Sequence, residues 1–214
     1  EYVNSNLKSG DILDIGFQGL KIIIKKNTQN KIVFKVLKEG AFENNKGVYL
    51  TNRKIKLSYL TNKDLEAIKI AKKFKIRNFA LSFTNSISDM ENFSKILPSE
   101  KKIYKIETKQ ALKDVKKILT NGQNFLIDRG DLSKEISIEM IPVAQRQILA
   151  IAQKLRNKNI YVATNFLESM LTNATPTRGE VNDIYSTLRI GAKGLVLAAE
   201  TAVGKHPIEC VNYL

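Results

Sequence analysis

Three short stretches gather lysine, acidic and hydroxyl side chains against apolar runs. In "YKIETK", Lys105 and Glu107 stand two apart. On a strand, that spacing puts both side chains on one face. In "LIDRGDLSKEI", an apolar run ends with no spacer in Asp128, Arg129, Gly130 and Asp131. In "VATNFLESM", Thr164 closes another apolar run. Lys105 and Glu107 taken alone could be a structural ion pair. With Asp131 supplied from the adjacent strand, Glu107 gains a partner acid. Two carboxylates with open coordination positions suit Mg2+, which keeps several waters and shares substrate oxygens. Lys105 would then face an anionic substrate instead of a protein carboxylate, and phosphoryl transfer needs that combination of metal and cation.

The "DRGD" loop adds backbone chemistry. Gly130 lets the chain come close to a ligand, and the turn leads towards a helix whose first amides, if unpaired, bind a carboxylate or phosphate. The plainer reading is a tight strand-to-helix turn with an acidic cap. Thr164 is either a proton-handling hydroxyl or a strand-end cap. Arg178 in "TPTRGEV" either holds a phosphate or pairs with Glu180. His206, before Pro207, reads as a surface residue and Cys210 as a helix-packing residue.

Hydrophobic periodicity shows which strands and helices carry these groups. The first ~55 residues hold β-branched runs, "LKIIIKK" and "KIVFKVL", around an Asn-rich turn, "NTQN". With "GDILDIG" before and "KGVYLTNRKIKL" after, they read as a small antiparallel β-module with no helical period. From "LTNKDLEAIKIAKKFKIRN" the rhythm changes: Thr61 and Asp64 form a capping-box-like helix start. Apolar strands "NFALSF", "KIYKIE", "NFLID", "NIYVAT" and "KGLVLAA" then alternate with amphipathic helices over 88–97, 111–120, 138–158 and 178–191. Such alternation implies a parallel sheet with right-handed crossovers. No G-x-G-x-x-G follows any strand, which disfavours a doubly wound sheet. Polar residues at successive strand ends (Lys105 and Glu107, Asp131, Thr164, Glu200) favour part of a (β/α)8 barrel.

Composition sets the outer bounds. The 214 residues are 43% hydrophobic, enough for a sizeable core. No run approaches the ~18 continuous apolar residues of a membrane span. The one cysteine cannot form an internal disulfide, and a cytoplasmic protein is the expectation. The formal charge of +14 comes from 35 Lys+Arg against 21 Asp+Glu. It admits an anionic partner, but the basic residues are dispersed along the chain. No tryptophan is present for base stacking, nothing resembles a helix-turn-helix or zinc finger, and we expect no nucleic-acid partner.

Taken together, "KIET", "DRGDLSKEI", "VATNFLESMLTNATPTRGEVND" and "GLVLAAETAVGKHPIECV" resemble the pyruvate kinase family in sequence, order and spacing. Upstream, "SGDILDIG", "KGVYL" and "LTNKDLEAI" resemble the later part of that family's lid domain and the return to its barrel. The resemblance spans about residues 9–211. It implies an α/β fold: a partial TIM (β/α)8 barrel equivalent to strands four to eight at residues 55–214, preceded at residues 1–54 by part of a β-rich lid. It also implies transfer of phosphoryl from phosphoenolpyruvate to ADP, giving pyruvate and ATP in glycolysis. By resemblance, Glu107 and Asp131 hold Mg2+, Lys105 contacts the phosphoryl group in flight, amides around Arg129, Gly130 and Asp131 hold the substrate carboxylate, and Thr164 lies beside the enolate and its proton delivery. The family's K+ ligands, a phosphate-contacting arginine and much of its nucleotide site fall in the first three barrel strands, outside this stretch. The 214 residues alone are therefore expected to be inactive. Tetramers are common in the family.

Several positions depart from the family pattern. Asp128 replaces a small residue, and its negative charge is expected to weaken anion binding. Ser133 replaces a glycine, Asn165 and Phe166 replace Gln-Met, Ala198 and Ala199 replace Ser-Gly, Asn85 stands at an arginine position, and "YLTN" replaces "NLPG". The alternatives to a kinase are a divergent relative with other phosphoenolpyruvate or pyruvate chemistry, and a non-catalytic metabolite- or partner-binding protein. Retention of Lys105, Glu107, Asp131 and Thr164 argues against the last.

Overall fold

The structure, a computed structural model, describes residues 2–214 except 17–18, 29–30, 43, 45, 54 and 56. Two compact units make it up, Glu1–Ser58 and Tyr59–Leu214. No described helix is long and apolar enough to cross a membrane.

The first unit holds α1 (Tyr2–Asn6), β1 (Ile12–Ile15), β2 (Leu20–Thr28), β3 (Lys31–Lys38) and β4 (Val48–Leu50). Its strands pair antiparallel in the order β3-β2-β1-β4. The period of two is plain in β2, where Leu20, Ile22 and Ile24 are buried and join Leu13 and Ile15 of β1 in a small core. Asn27 and Thr28 of the expected Asn-rich turn end β2, and residues 29–30 lie outside the described residues, as do 54 and 56 of the last expected strand segment. Helix α1 was not legible as a helical period. Tertiary bonds hold its carbonyl end: Asn27 Nδ2 donates to the Asn4 carbonyl (2.7 Å) and Arg53 Nη2 to the Asn6 carbonyl (2.6 Å).

The second unit alternates helices and strands: α2 (Asn62–Lys73), β5 (Asn78–Leu81), α3 (Ile87–Ile96), β6 (Lys101–Ile106), α4 (Lys109–Lys113), α5 (Val115–Asn121), β7 (Asn124–Asp128) and α6 (Arg129–Glu135). A 3-10 turn at Ile138–Met140 leads into α7 (Ile141–Gln153), and β8 (Asn159–Ala163), α8 (Arg178–Arg189), β9 (Gly194–Val196), α9 (Ala199–Ala202) and α10 (Pro207–Tyr213) complete it. The strands are all parallel and their spatial order is their chain order, β5-β6-β7-β8-β9. A doubly wound sheet reverses its order at a switch point; an unreversed order is that of a barrel sector. Buried residues of alternate strand positions (Tyr104, Ile106, Phe125, Ile127, Ile160, Val162) form one core with Phe93 of α3, Ile118 of α5 and Ile148 of α7. Each fully buried Leu, Ile or Phe there contributes about 1.5–3 kcal/mol.

Capping boxes start three of the helices, with Thr61 and Asp64 at α2, Ser86 and Asp89 at α3, and Thr177 and Glu180 at α8. The helix expected over 111–120 is split at Asp114, whose φ of −102 and ψ of 13 leave helical geometry while its carboxylate accepts from Gln110 and Lys117. The helix expected over 138–158 is shorter: Pro142, which fits the first turn and has no amide to donate further in, sets its start, and α7 ends at Gln153.

Candidate active site

Strand β6 pairs with β7 so that Lys105 lies opposite Leu126 and Ile106 opposite Ile127. Continuing that register brings Glu107, just past β6, beside Asp128 at the end of β7. Lys105, Glu107 and Asp128 therefore project from the sheet face opposite to buried Tyr104, Ile106 and Ile127. The chain enters α6 with no intervening loop, and Asp128 is its N-cap. That places Asp131 in the first turn of α6, over the same strand ends. Carboxylate oxygens of Glu107, Asp128 and Asp131 all lie within 4.8 Å of one another.

Glu107 is 1% exposed. Its Oε2 accepts the Phe83 amide at 2.5 Å, from a turn held at φ +51. Its Oε1 forms a close ion pair with Lys105 Nζ. Lys105 Nζ also lies 3.1 Å from Asp128 Oδ2. Burial pushes the Glu107 carboxyl above its ordinary range, against the lowering pull of Lys105 and the Phe83 amide. Burial also opposes charge on Lys105, but Glu107 and Asp128 outweigh it and hold the ammonium above its ordinary value. Taken alone, the ion pair would lower its acid; here the desolvation of a buried carboxyl is the larger effect.

Several expectations are corrected by this geometry. Lys105 faces two protein carboxylates, because both lie within its reach on one strand-end face. The amides at the start of α6 are not unpaired: the Gly130 amide donates to Thr164 Oγ1 at 2.9 Å and the Asp131 amide to Asp128 Oδ1 at 3.4 Å. The Arg129 side chain turns away from the carboxylates and is buried. Its guanidinium lies 3.9 Å from the centroid of the Phe166 ring, pairs with Asp183 at 2.6 Å, and donates to the Thr164 carbonyl from Nε (3.0 Å) and Nη2 (2.5 Å). Thr164 has φ +75, and its hydroxyl donates to the Ala163 carbonyl at 2.6 Å.

Other singled-out residues stand apart. Glu200 is buried and accepts amides from Leu167 (3.3 Å) and Ala198 (2.8 Å), tying two loops together. Glu180 accepts from Ser169 and Thr177 instead of pairing with exposed Arg178. His206 is half-buried at the start of α10, and Cys210 is fully buried in the core. Asn85 Oδ1 accepts from the Thr108 hydroxyl at 2.5 Å beside the strand ends. Asp128 was legible as a departure from the family pattern and, in the plainer reading of the "DRGD" turn, as part of an acidic cap; the structure makes it the N-cap of α6. The signal for its place was its type, since aspartate three residues before a helical amide is a favoured cap.

The chain matches the family model described as pyruvate kinase, barrel domain, over residues 2–211. It is 37% identical over 215 residues to the pyruvate kinase of Thermotoga maritima, covering 98% of this chain and 46% of that protein. With the pyruvate kinase of Methanocaldococcus jannaschii it shares 35% identity over 217 residues, covering 100% and 48% of the two. With plastidial pyruvate kinase 3, chloroplastic, of Arabidopsis thaliana the figures are 31% over 218 residues, 100% and 38%. The chain thus spans about half the length, or less, of the curated relatives it matches. With the barrel-sector topology and the strand-end carboxylates in place, these matches show that the chain belongs to the pyruvate kinase family.

Proposed function

We propose that the full-length protein transfers the phosphoryl group of phosphoenolpyruvate to ADP, and that Lys105, Glu107 and Asp131 are the core of its site. One observation carries the reading: an ammonium and carboxylates from β6 and α6 converge at the C-terminal ends of adjacent parallel strands. Family membership supports the same reaction class.

The donor set fits Mg2+. All the converging ligand atoms are hard carboxylate oxygens, supplied by Glu107, Asp128 and Asp131. Glu107 and Asp131 would hold the ion, which when bound polarises substrate oxygens and offsets their charge. Lys105 serves the phosphoryl group: its ammonium, held charged by its acidic neighbours, offsets negative charge as the P–O bond to the enolate breaks and the bond to the ADP oxygen forms. The amides of Gly130 and Asp131 would receive the substrate carboxylate by exchanging their present partners, Thr164 Oγ1 and Asp128 Oδ1. Thr164, freed from the Gly130 amide, would offer its hydroxyl as the route of a proton to the enolate carbon.

Lys105→Met tests the assignment. In the full-length protein it should lower turnover by roughly 10³-fold or more while Mn2+ binding persists. Turnover near wild type in that variant would remove Lys105 from the chemistry and sink the reading.

A further inference from the structure

The role of Asp128 goes beyond this reading and rests on it. Its carboxylate does three things at once. Oδ1 caps α6 through the Asp131 amide, Oδ2 lies 3.1 Å from Lys105 Nζ, and the group joins Glu107 and Asp131 within ligand-sharing distance. A cap needs only an acceptor; serine or asparagine would serve as well. The negative charge is what distinguishes Asp128, and it falls on the one ammonium assigned to the moving phosphoryl group. Lys105 is shared between Glu107 and Asp128, and one ammonium cannot neutralise both. Glu107 Oε1, buried and in the close ion pair with Lys105, belongs to the same cluster. An additional cation is the physical remedy for such an excess of acid, and each added carboxylate raises affinity for a hard divalent ion. The same charge opposes an anionic substrate, which must draw Lys105 away from it.

We propose that Asp128 is a specificity-determining residue: it supplies the divalent cation with a third carboxylate and holds Lys105 in competition with the anionic substrate. Cation binding is tighter, and phosphoenolpyruvate binding weaker, than with the two acids alone. Asp128 does not touch the reacting atoms; it acts through the cation and Lys105.

Asp128→Asn in the full-length protein is the test, because asparagine keeps the cap and removes the charge. Mn2+ binding is read by electron paramagnetic resonance without substrate, and KM for phosphoenolpyruvate is read separately from kcat. We expect the Mn2+ Kd of Asp128→Asn to rise roughly tenfold and its KM for phosphoenolpyruvate to fall roughly tenfold, with Asp128→Glu restoring much of the Mn2+ affinity. Both constants staying within about twofold of wild type, while Glu107→Gln loses Mn2+, would reduce Asp128 to a helix cap and overturn the proposal. If Glu107→Gln also binds Mn2+ as wild type does, the metal reading of the site falls first and this proposal with it.

Discussion

Thr164 carries a β-branched side chain at φ +75, in the left-handed region that favours glycine, a conformation costing about 1–3 kcal/mol. Its restraints are visible: Arg129 donates twice to its carbonyl and Gly130 once to its hydroxyl. Such a constraint fixes the hydroxyl over the strand ends beside the carboxylates. Thr164→Val keeps the shape but leaves the Gly130 amide without its acceptor. If the hydroxyl serves the enolate, kcat of the full-length protein should fall roughly 10²-fold or more in Thr164→Val and stay within about tenfold in Thr164→Ser. Wild-type kcat in the valine variant would return Thr164 to a strand-end cap. At this scale the sequence was partly transparent. The two-residue spacing of Lys105 and Glu107 announced a shared face, and the apolar-to-acidic break at 128 announced a strand mouth. The inward turn of Arg129 onto Phe166 and Asp183 was not legible, since its partners lie 37 and 54 residues away along the chain.

Elements were read best where local and tertiary preferences agree. The capping box of Thr61 and Asp64 marks the start of α2, and the apolar runs of β5 to β8 fall where buried faces require them. The readings that failed have two causes: α1 rests on Asn27 and Arg53, far along the chain, whereas Asp114 breaks its helix locally, its carboxylate accepting from Gln110 and Lys117. In the first unit, Arg53 pairs with buried Asp11 through two bonds of 2.6 Å, joining the chain before β1 to the chain after β4. Arg53, against some cost of burial, holds the Asp11 carboxyl below its ordinary 3.8. A depressed folded-state value adds stability that is fully present above the unfolded value and disappears as pH falls through the folded one. Urea titrations followed on β1 and β2 amide resonances at about pH 7 and about pH 3 should therefore show this unit weaker in acid. Asp11→Asn should be weaker than wild type at neutral pH and lose less on acidification. An equal acid loss in the variant would assign the dependence to other groups.

At the scale of the whole molecule, the five parallel strands in unreversed order are a barrel sector, and the chain matches about half of its relatives' length. The strand count and alternation were legible because each βα unit repeats the same two periods. The resemblance places much of the nucleotide site on family segments ahead of the matched half. The 214 residues by themselves should therefore bind ADP far more weakly than the full-length protein, and calorimetric titration of both with ADP and Mg2+ compares them directly. Equal affinities would place the nucleotide site within these strands. Whether the converging strand-end groups perform phosphoryl transfer is read from the pyruvate and ATP that the full-length protein forms. The predicted result is equimolar formation of both, dependent on phosphoenolpyruvate, ADP and Mg2+ together. Absence of turnover while phosphoenolpyruvate and Mg2+ still bind would contradict it.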